Sequence, residues 1–224
     1  MKKKILIIVS HPDDEILGCG GAINFHLKNK DKVFIYFTHE GSSARFEKLN
    51  DPKIPKEIKK RNDAALNLAK DFKYEVCGFG KNINLNLDNI NHLKNVKIIS
   101  KLINSIKPDI IYTHFFDDLN QDHNMTHKFV ISACRPVDYL VKEIYLMEIP
   151  SSTDWNLKNQ FKPDTFIKID IQKKHKMLKY YQSEMRSGPH SRSKNNIESL
   201  AKFRGGHVGL DFSEAFMTFR KINL

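Results

Sequence analysis

The chain has 224 residues, of which 40% are hydrophobic and 28% charged, and it carries a formal net charge of +11. That length suffices for a full hydrophobic core, and the composition is that of a globular α/β domain rather than a disordered chain. No apolar run approaches the roughly 20 residues that a membrane helix needs, which argues against a spanning segment.

The basic start Met1-Lys2-Lys3-Lys4 is followed by an apolar stretch that ends by Val9 and runs into charged residues. A signal peptide needs a longer apolar region and a small-residue cleavage site, so Lys4 to Val9 reads as a first strand, buried on both faces, in a cytoplasmic protein. Gly18 to Leu27 reads as a helix and Val33 to Thr38 as a second strand. Pro55 to Lys70 carries Ile58, Ala65, Leu66 and Ala69 at helical spacing with Pro near its start. Lys73 to Gly78 is a short strand. Leu93 to Ile106 is a helix stopped before Pro108, Asp109 to Thr113 a strand, and Met125 to Cys134 a helix ended before Pro136. Glu143 to Glu148 and Thr165 to Ile169 are later strands, Ile171 to Met185 and Asn195 to Phe203 helices, and Ala215 to Phe219 a closing strand. Strands that alternate with helices imply an α/β fold with a mostly parallel sheet. No repeat or linker divides it, so residues 1–224 are expected to form one domain.

Three cysteines, Cys19, Cys77 and Cys134, are odd in number and widely spaced, and imply neither a disulfide framework nor a zinc ribbon. The positive charge comes from 30 Lys against 7 Arg, spread along the chain. Phosphate recognition favours the bidentate guanidinium fork, so the charge reads as compositional, and no nucleic-acid motif accompanies it.

Two polar clusters carry the chemistry. His11-Pro12-Asp13-Asp14-Glu15 follows the first strand and packs an imidazole and three carboxylates into five positions, a repulsion that a cation or solvent must relieve. His11 and Asp14 lie three apart, so one tight turn, stiffened by Pro12, presents both to a single ion. Imidazole plus carboxylate suits Zn²⁺, with Fe²⁺ or Mn²⁺ as alternatives, and a catalytic zinc site usually has three protein ligands plus water. The second cluster, His114 to His127, can supply the third ligand. It follows a later strand, and the rule that ligands sit beyond the carboxyl ends of parallel strands puts both clusters on one edge of the sheet.

His11-Pro12-Asp13-Asp14-Glu15 with Gly18, Gly20 and Gly21, and Asp122-His123 at a helix start about a hundred residues on, resemble the signature of the PIG-L/LmbE family of zinc-dependent de-N-acetylases. Further runs resemble a bacterial branch of it: Asp118 through Pro136, Ser151 through Trp155, Ser183-Glu184 through Ser193, Arg204-Gly205 and Glu214 to Phe216. The resemblance implies a Rossmann-like sheet flanked by helices, with the site at the carboxyl ends of its strands. Carried over, the metal ligands fall on His11, Asp14 and His123, and Asp13 matches the general base. Arg61, opening the second helix, sits at the position of a substrate-binding arginine; Asp122 and Arg192 are further substrate-binding candidates, and Asp122 could also orient a ring nitrogen of a neighbouring histidine. Many members have a histidine where this chain has Asn120. An asparagine can donate to an oxyanion but cannot shuttle a proton, so His190 becomes the candidate acid, with His114 as runner-up.

The implied reaction is removal of an acetyl group from an amino sugar, and the branch suggests a nucleotide- or carrier-linked acetamido sugar of surface-glycan biosynthesis. The alternatives are another N-acyl substrate, such as a thiol-conjugated glucosaminide, and a non-catalytic sugar-binding descendant. Gly18, Gly20 and Gly21 are read equally as a close approach to the site or as helix–sheet packing. Trp155 is read as a sugar-stacking residue or as packing, and His39 receives no role. The expected partner is a small amino sugar, and a homo-oligomer is left open.

Overall fold

The computed structural model describes residues 2–83, 85, 91–155 and 158–223. Among these, seven strands form one sheet: β1 (Lys4–Val9), β2 (Lys32–His39), β3 (Glu75–Asn82), β4 (Ile110–His114), β5 (Glu143–Met147), β6 (Thr165–Lys168) and β7 (Ser213–Lys221). Their order is β3-β2-β1-β4-β5-β7-β6. The first five run parallel, and β7 runs antiparallel to both β5 and β6.

β1 shows why the sheet is buried on both faces. Ile5, Ile7 and Val9 enter one apolar cluster with Ile16, Ala65, Met177 and Ile197, while Leu6 and Ile8 enter another with Ile99, Ile103, Phe129 and Val130. The period of two along a strand therefore divides one sequence run between two helical layers. On the first face lie α1 (Asp14–Lys28), α2 (Ile54–Phe72), α5 (Ile171–Leu178) and α6 (Lys194–Gly206). On the second lie α3 (His92–Ile106) and α4 (Gln121–Ala133).

The helix limits differ from the expected ones where caps and tertiary contacts override periodicity. α1 begins at Asp14, four residues before Gly18, with Asp14 and Glu15 in its first turn, where carboxylates suit the positive end of the helix. α4 begins at Gln121 because the Asn120 side chain accepts from Asp122 N at 2.9 Å. α5 stops at Leu178 rather than reaching Met185, and a 3₁₀ turn over Lys179–Tyr181 follows it. That turn brings the buried Tyr181 hydroxyl to Glu15 at 2.5 Å. The glycines of α1 pack the helix onto the sheet. A Cβ on Gly18 would meet Met147 at 2.5 Å, and one on Gly21 would meet Ile169 at 2.2 Å.

No helix among the described residues is long and apolar enough to cross a membrane.

Candidate active site

β1 and β4 are neighbours, yet β1 leads on to β2 on one side and β4 to β5 on the other. The crevice between them is the switch point of the sheet, where ligands of such folds bind. Both polar clusters open there. Ser10, just past β1, donates its N–H to His114 Nε2 at the end of β4 (2.8 Å), and its hydroxyl lies 2.8 Å from Thr126 Oγ1 on α4.

His11 N donates to Asp14 Oδ2 (2.9 Å) and Asp14 N to His11 O (3.1 Å), which closes a turn that points both side chains inward. Asp14 Oδ2 then lies 3.2 Å from His11 Nδ1 and 3.3 Å from His123 Nε2. The donor atoms of His11, Asp14 and His123 all fall within 4.8 Å of one another, and all three residues are buried. Ligands about 2.0–2.1 Å from a tetrahedral ion lie about 3.3 Å apart, so this spacing fits one small divalent cation. The unused valences agree. His123 Nε2 and Asp14 Oδ1 are buried without a hydrogen-bond partner among the described residues.

The far side of each ring is held by a carboxylate. His11 Nε2 donates to Asp122 Oδ2 (2.9 Å), and His123 Nδ1 lies 3.2 Å from Asp118 Oδ1. Such partners fix the tautomer and raise the basicity of a ligating imidazole. Burial disfavours the imidazolium of His123, but Asp14 and Asp118 outweigh it and raise its pKa to about 10. Burial likewise opposes the His11 charge, and Asp122 and Asp14 overcome it. Burial also works against ionised Asp14, yet His123 and His11 hold its carboxyl well below the usual range. A cation bound there needs both imidazoles as neutral ligands, so its binding competes with protons for the site.

Asp13 stands beside this centre. Its φ of 135° and ψ of −31° are unusual for a residue with a side chain and cost on the order of 1–3 kcal/mol. Several contacts impose the conformation. Asp13 N donates to Glu15 Oε2 (2.9 Å), Arg61 Nη2 lies 2.8 Å from Asp13 Oδ1, and Arg192 Nη1 donates to Asp13 Oδ2 (3.1 Å). Burial pushes the Asp13 carboxyl up, against the pull of Arg61 and Arg192. Burial pushes Glu15 up to about 8.

Arg61 lies in the second turn of α2 rather than at its opening; it is buried, donates to Gly41 O and pairs with Glu184 at 3.3 Å. Glycine suits position 41, where φ is 74° and a Cβ would crowd the Arg61 guanidinium. Arg192 Nε donates to Ser151 Oγ (2.7 Å). Asn120 caps α4 through Oδ1, which leaves its Nδ2 as the group able to donate elsewhere. His190 is exposed, and its Nδ1 accepts from Arg192 N (3.0 Å). His114 is fully buried, stacks on His123 at 4.0 Å and accepts through Nε2 from Ser10.

Sequence reasoning gave no role to Asp118, His39 or Glu184. Asp118 holds His123, the Nε2 of His39 lies 3.6 Å from Asp122 Oδ1, and Glu184 joins Arg45 and Arg61. His39 ends β2, and its place at the carboxyl end of a parallel strand was the signal available for it.

The fold and site together define an α/β protein with a buried His–Asp–His cluster, able to hold a metal ion, at the switch point of its sheet. The chain belongs to the PIG-L family: the family model described as GlcNAc-PI de-N-acetylase matches residues 6–134, more than half of its length. No curated protein matches the sequence. Among solved structures, the chain is similar to N,N'-diacetylchitobiose deacetylase from Pyrococcus horikoshii, at 16% identity over 97% of this chain and 84% of that one, with a TM-score of 0.76. It is similar to GalB, the 4-carboxy-2-hydroxymuconate hydratase of Pseudomonas putida KT2440, at 18% identity over 100% and 98% of the two chains, with a TM-score of 0.79. A deacetylase of teicoplanin biosynthesis aligns at 13% identity over 96% and 97%, with a TM-score of 0.73. At such identities the likeness concerns the fold.

Proposed function

We propose that the protein is a zinc-dependent N-deacetylase that hydrolyses the acetamido group of an amino sugar joined to a nucleotide or another carrier in surface-glycan biosynthesis. The observation that carries this reading is the convergence of His11, Asp14 and His123 beside the buried carboxylate of Asp13. A divalent ion held by those three residues lowers the pKa of water from about 15.7 towards 7 and polarises the amide carbonyl.

The chain's own groups do the rest. Asp13 takes the proton from the attacking water, and its raised pKa makes it a stronger base than a solvated aspartate. Arg61 and Arg192 keep that carboxylate aimed while its charge changes. Asp122 and Asp118 hold the His11 and His123 rings in place. Asn120 Nδ2 donates to the oxyanion as the carbonyl carbon becomes tetrahedral; loss of one such donor typically costs about 2.7–4 kcal/mol of barrier. His190, exposed at the rim of the site, is our candidate acid: as an imidazolium it passes one proton to the departing amine and regains it from solvent. The C–N bond breaks, and acetate and a free amino sugar leave. The three free cysteines suit the cytoplasmic setting we assign to the enzyme.

The test is acetate release from UDP- and GDP-linked N-acetyl sugars and from simple N-acetylglucosaminides, with metal-free protein, zinc-reloaded protein and Asp13→Ala. Release that needs zinc and vanishes in the variant supports the reading. Absence of release from every compound by a protein that holds one zinc overturns it in favour of a binding-only descendant.

A further inference from the structure

A second feature adjoins the site. Residues 148–151, 153–155 and 189–191, with Asn196 and Leu200, line a cleft of about 600 Å³, within the range of small-molecule sites. It meets the catalytic side at His190, which lines it, and at Ser151, which accepts from the Arg192 guanidinium that also binds Asp13. Trp155 stands in this cleft with 68% of its surface exposed. A large indole left in water beside a catalytic centre asks for a ligand, since burying it elsewhere is strongly favourable.

Both walls are braced. Ser152 Oγ and Thr153 Oγ1 donate to Asp118 Oδ2, at 3.1 and 2.5 Å, and Asp118 is the carboxylate that holds His123. Trp155 N donates to Ser152 O at 3.2 Å. The Trp155 turn is therefore tied to the carboxylate behind a candidate metal ligand. On the opposite wall, Asn196 Nδ2 donates to the carbonyls of Pro189 and His190 (2.6 and 3.1 Å). A surface ordered before the ligand arrives loses little entropy on binding.

The lining decides the occupant. Its charged members are Glu148 and Asp154, and among the described residues no lysine or arginine lines it. Glu148 is neutralised by a bidentate pair with Arg204 (2.8 and 2.6 Å). A diphosphate needs cations or a row of backbone N–H groups, whereas carboxylate and amide oxygens accept from hydroxyls. An indole face covers the C–H face of a pyranose and leaves the ring hydroxyls at its edge to such acceptors.

We propose that this cleft is a glycosyl subsite. It takes the uncharged sugar attached to the acetamido sugar, stacked on Trp155, so the carrier is a glycan rather than a nucleotide. The proposal rests on the deacetylase reading and narrows it.

Trp155 is the sole tryptophan of the sequence, so its fluorescence reports on this cleft directly. Emission is titrated in the zinc-loaded full chain, wild type and Asp13→Asn, with N-acetylglucosamine, N,N'-diacetylchitobiose and UDP-N-acetylglucosamine. The disaccharide is expected to change the emission saturably at concentrations about tenfold below the monosaccharide, and the nucleotide sugar to do no better than the monosaccharide. In turnover, Trp155→Ala is expected to raise KM for the disaccharide about tenfold, and Trp155→Phe to recover most of that loss. An emission unmoved by the disaccharide, or one that saturates first with the nucleotide sugar, overturns the subsite. If the disaccharide saturates the emission while no compound releases acetate, the subsite stands and the deacetylase reading falls. If the disaccharide releases acetate while Trp155 stays silent, the deacetylase reading stands and the subsite falls.

Discussion

The chain from β1 to α4 and the chain from β5 onward contribute unlike things to one site. The first supplies His11, Asp13, Asp14, Asp122 and His123, all buried at the ends of parallel strands or the starts of helices. The second supplies Ser151, Trp155, Glu184, His190 and Arg192, from turns and connections around an antiparallel edge. The family model also ends at residue 134. A rigid scaffold that positions the reacting groups, paired with loops that meet the substrate, is how one fold comes to serve several reactions. A hydratase and two deacetylases share this fold, so the substrate has to be sought in the second region.

The sharpest way to break that comparison is to remove a ligand from the first region. Asp14→Ala or His123→Ala is expected to abolish bound zinc, measured by elemental analysis, and to lower kcat/KM by more than about 10⁴-fold, beyond the 10²–10⁴ usual for one acid–base group. Retained stoichiometric zinc would remove these residues from the ligand set. Asp13→Asn should lower kcat by about 10²–10⁴ while zinc stays bound, because the base is lost and the ligands are not. Asp118→Ala should weaken zinc about 10–100-fold in competition with a chelator, since His123 loses the carboxylate that orients it. Arg192→Ala probes the second region. Its loss should raise KM about tenfold more than it lowers zinc affinity, because the guanidinium joins Asp13 to the substrate cleft and touches no ligand.

What was legible in the sequence follows the same division. His11 and Asp14 could be read as a pair because a tight turn after a strand is a local pattern, and the parallel sheet sends the second cluster to the same edge; the choice of His123 within that cluster came from the family resemblance. The antiparallel closing strand was visible as a strand, but its direction depends on which neighbour it meets. Asp118 lay in plain view, five residues before His123, without local cause to choose it over Asp117. Its role comes from Ser152 and Thr153, which only folding brings to it. Helical periodicity carried α5 past its true end, because the burial of Tyr181 and its bond to Glu15 are long-range. The exposure of Trp155 is invisible to any pattern of spacing.

Tyr181 supplies the finest test, because it crosses the division. It lies in the second region and is 2% exposed, and its hydroxyl donates to Glu15, whose other oxygen accepts the N–H of Asp13. Tyr181→Phe keeps the ring and removes that one donor, leaving a buried carboxyl oxygen short of a partner. Unfolding in urea should show a loss of about 1–3 kcal/mol. If this strut also sets the unusual backbone of Asp13, kcat should fall about two- to tenfold with zinc content unchanged, since a misplaced base weakens the chemical step without disturbing the ligands. A stability loss with undiminished kcat would assign the aim of Asp13 to Arg61 and Arg192 alone, and would confine the second region to substrate contact.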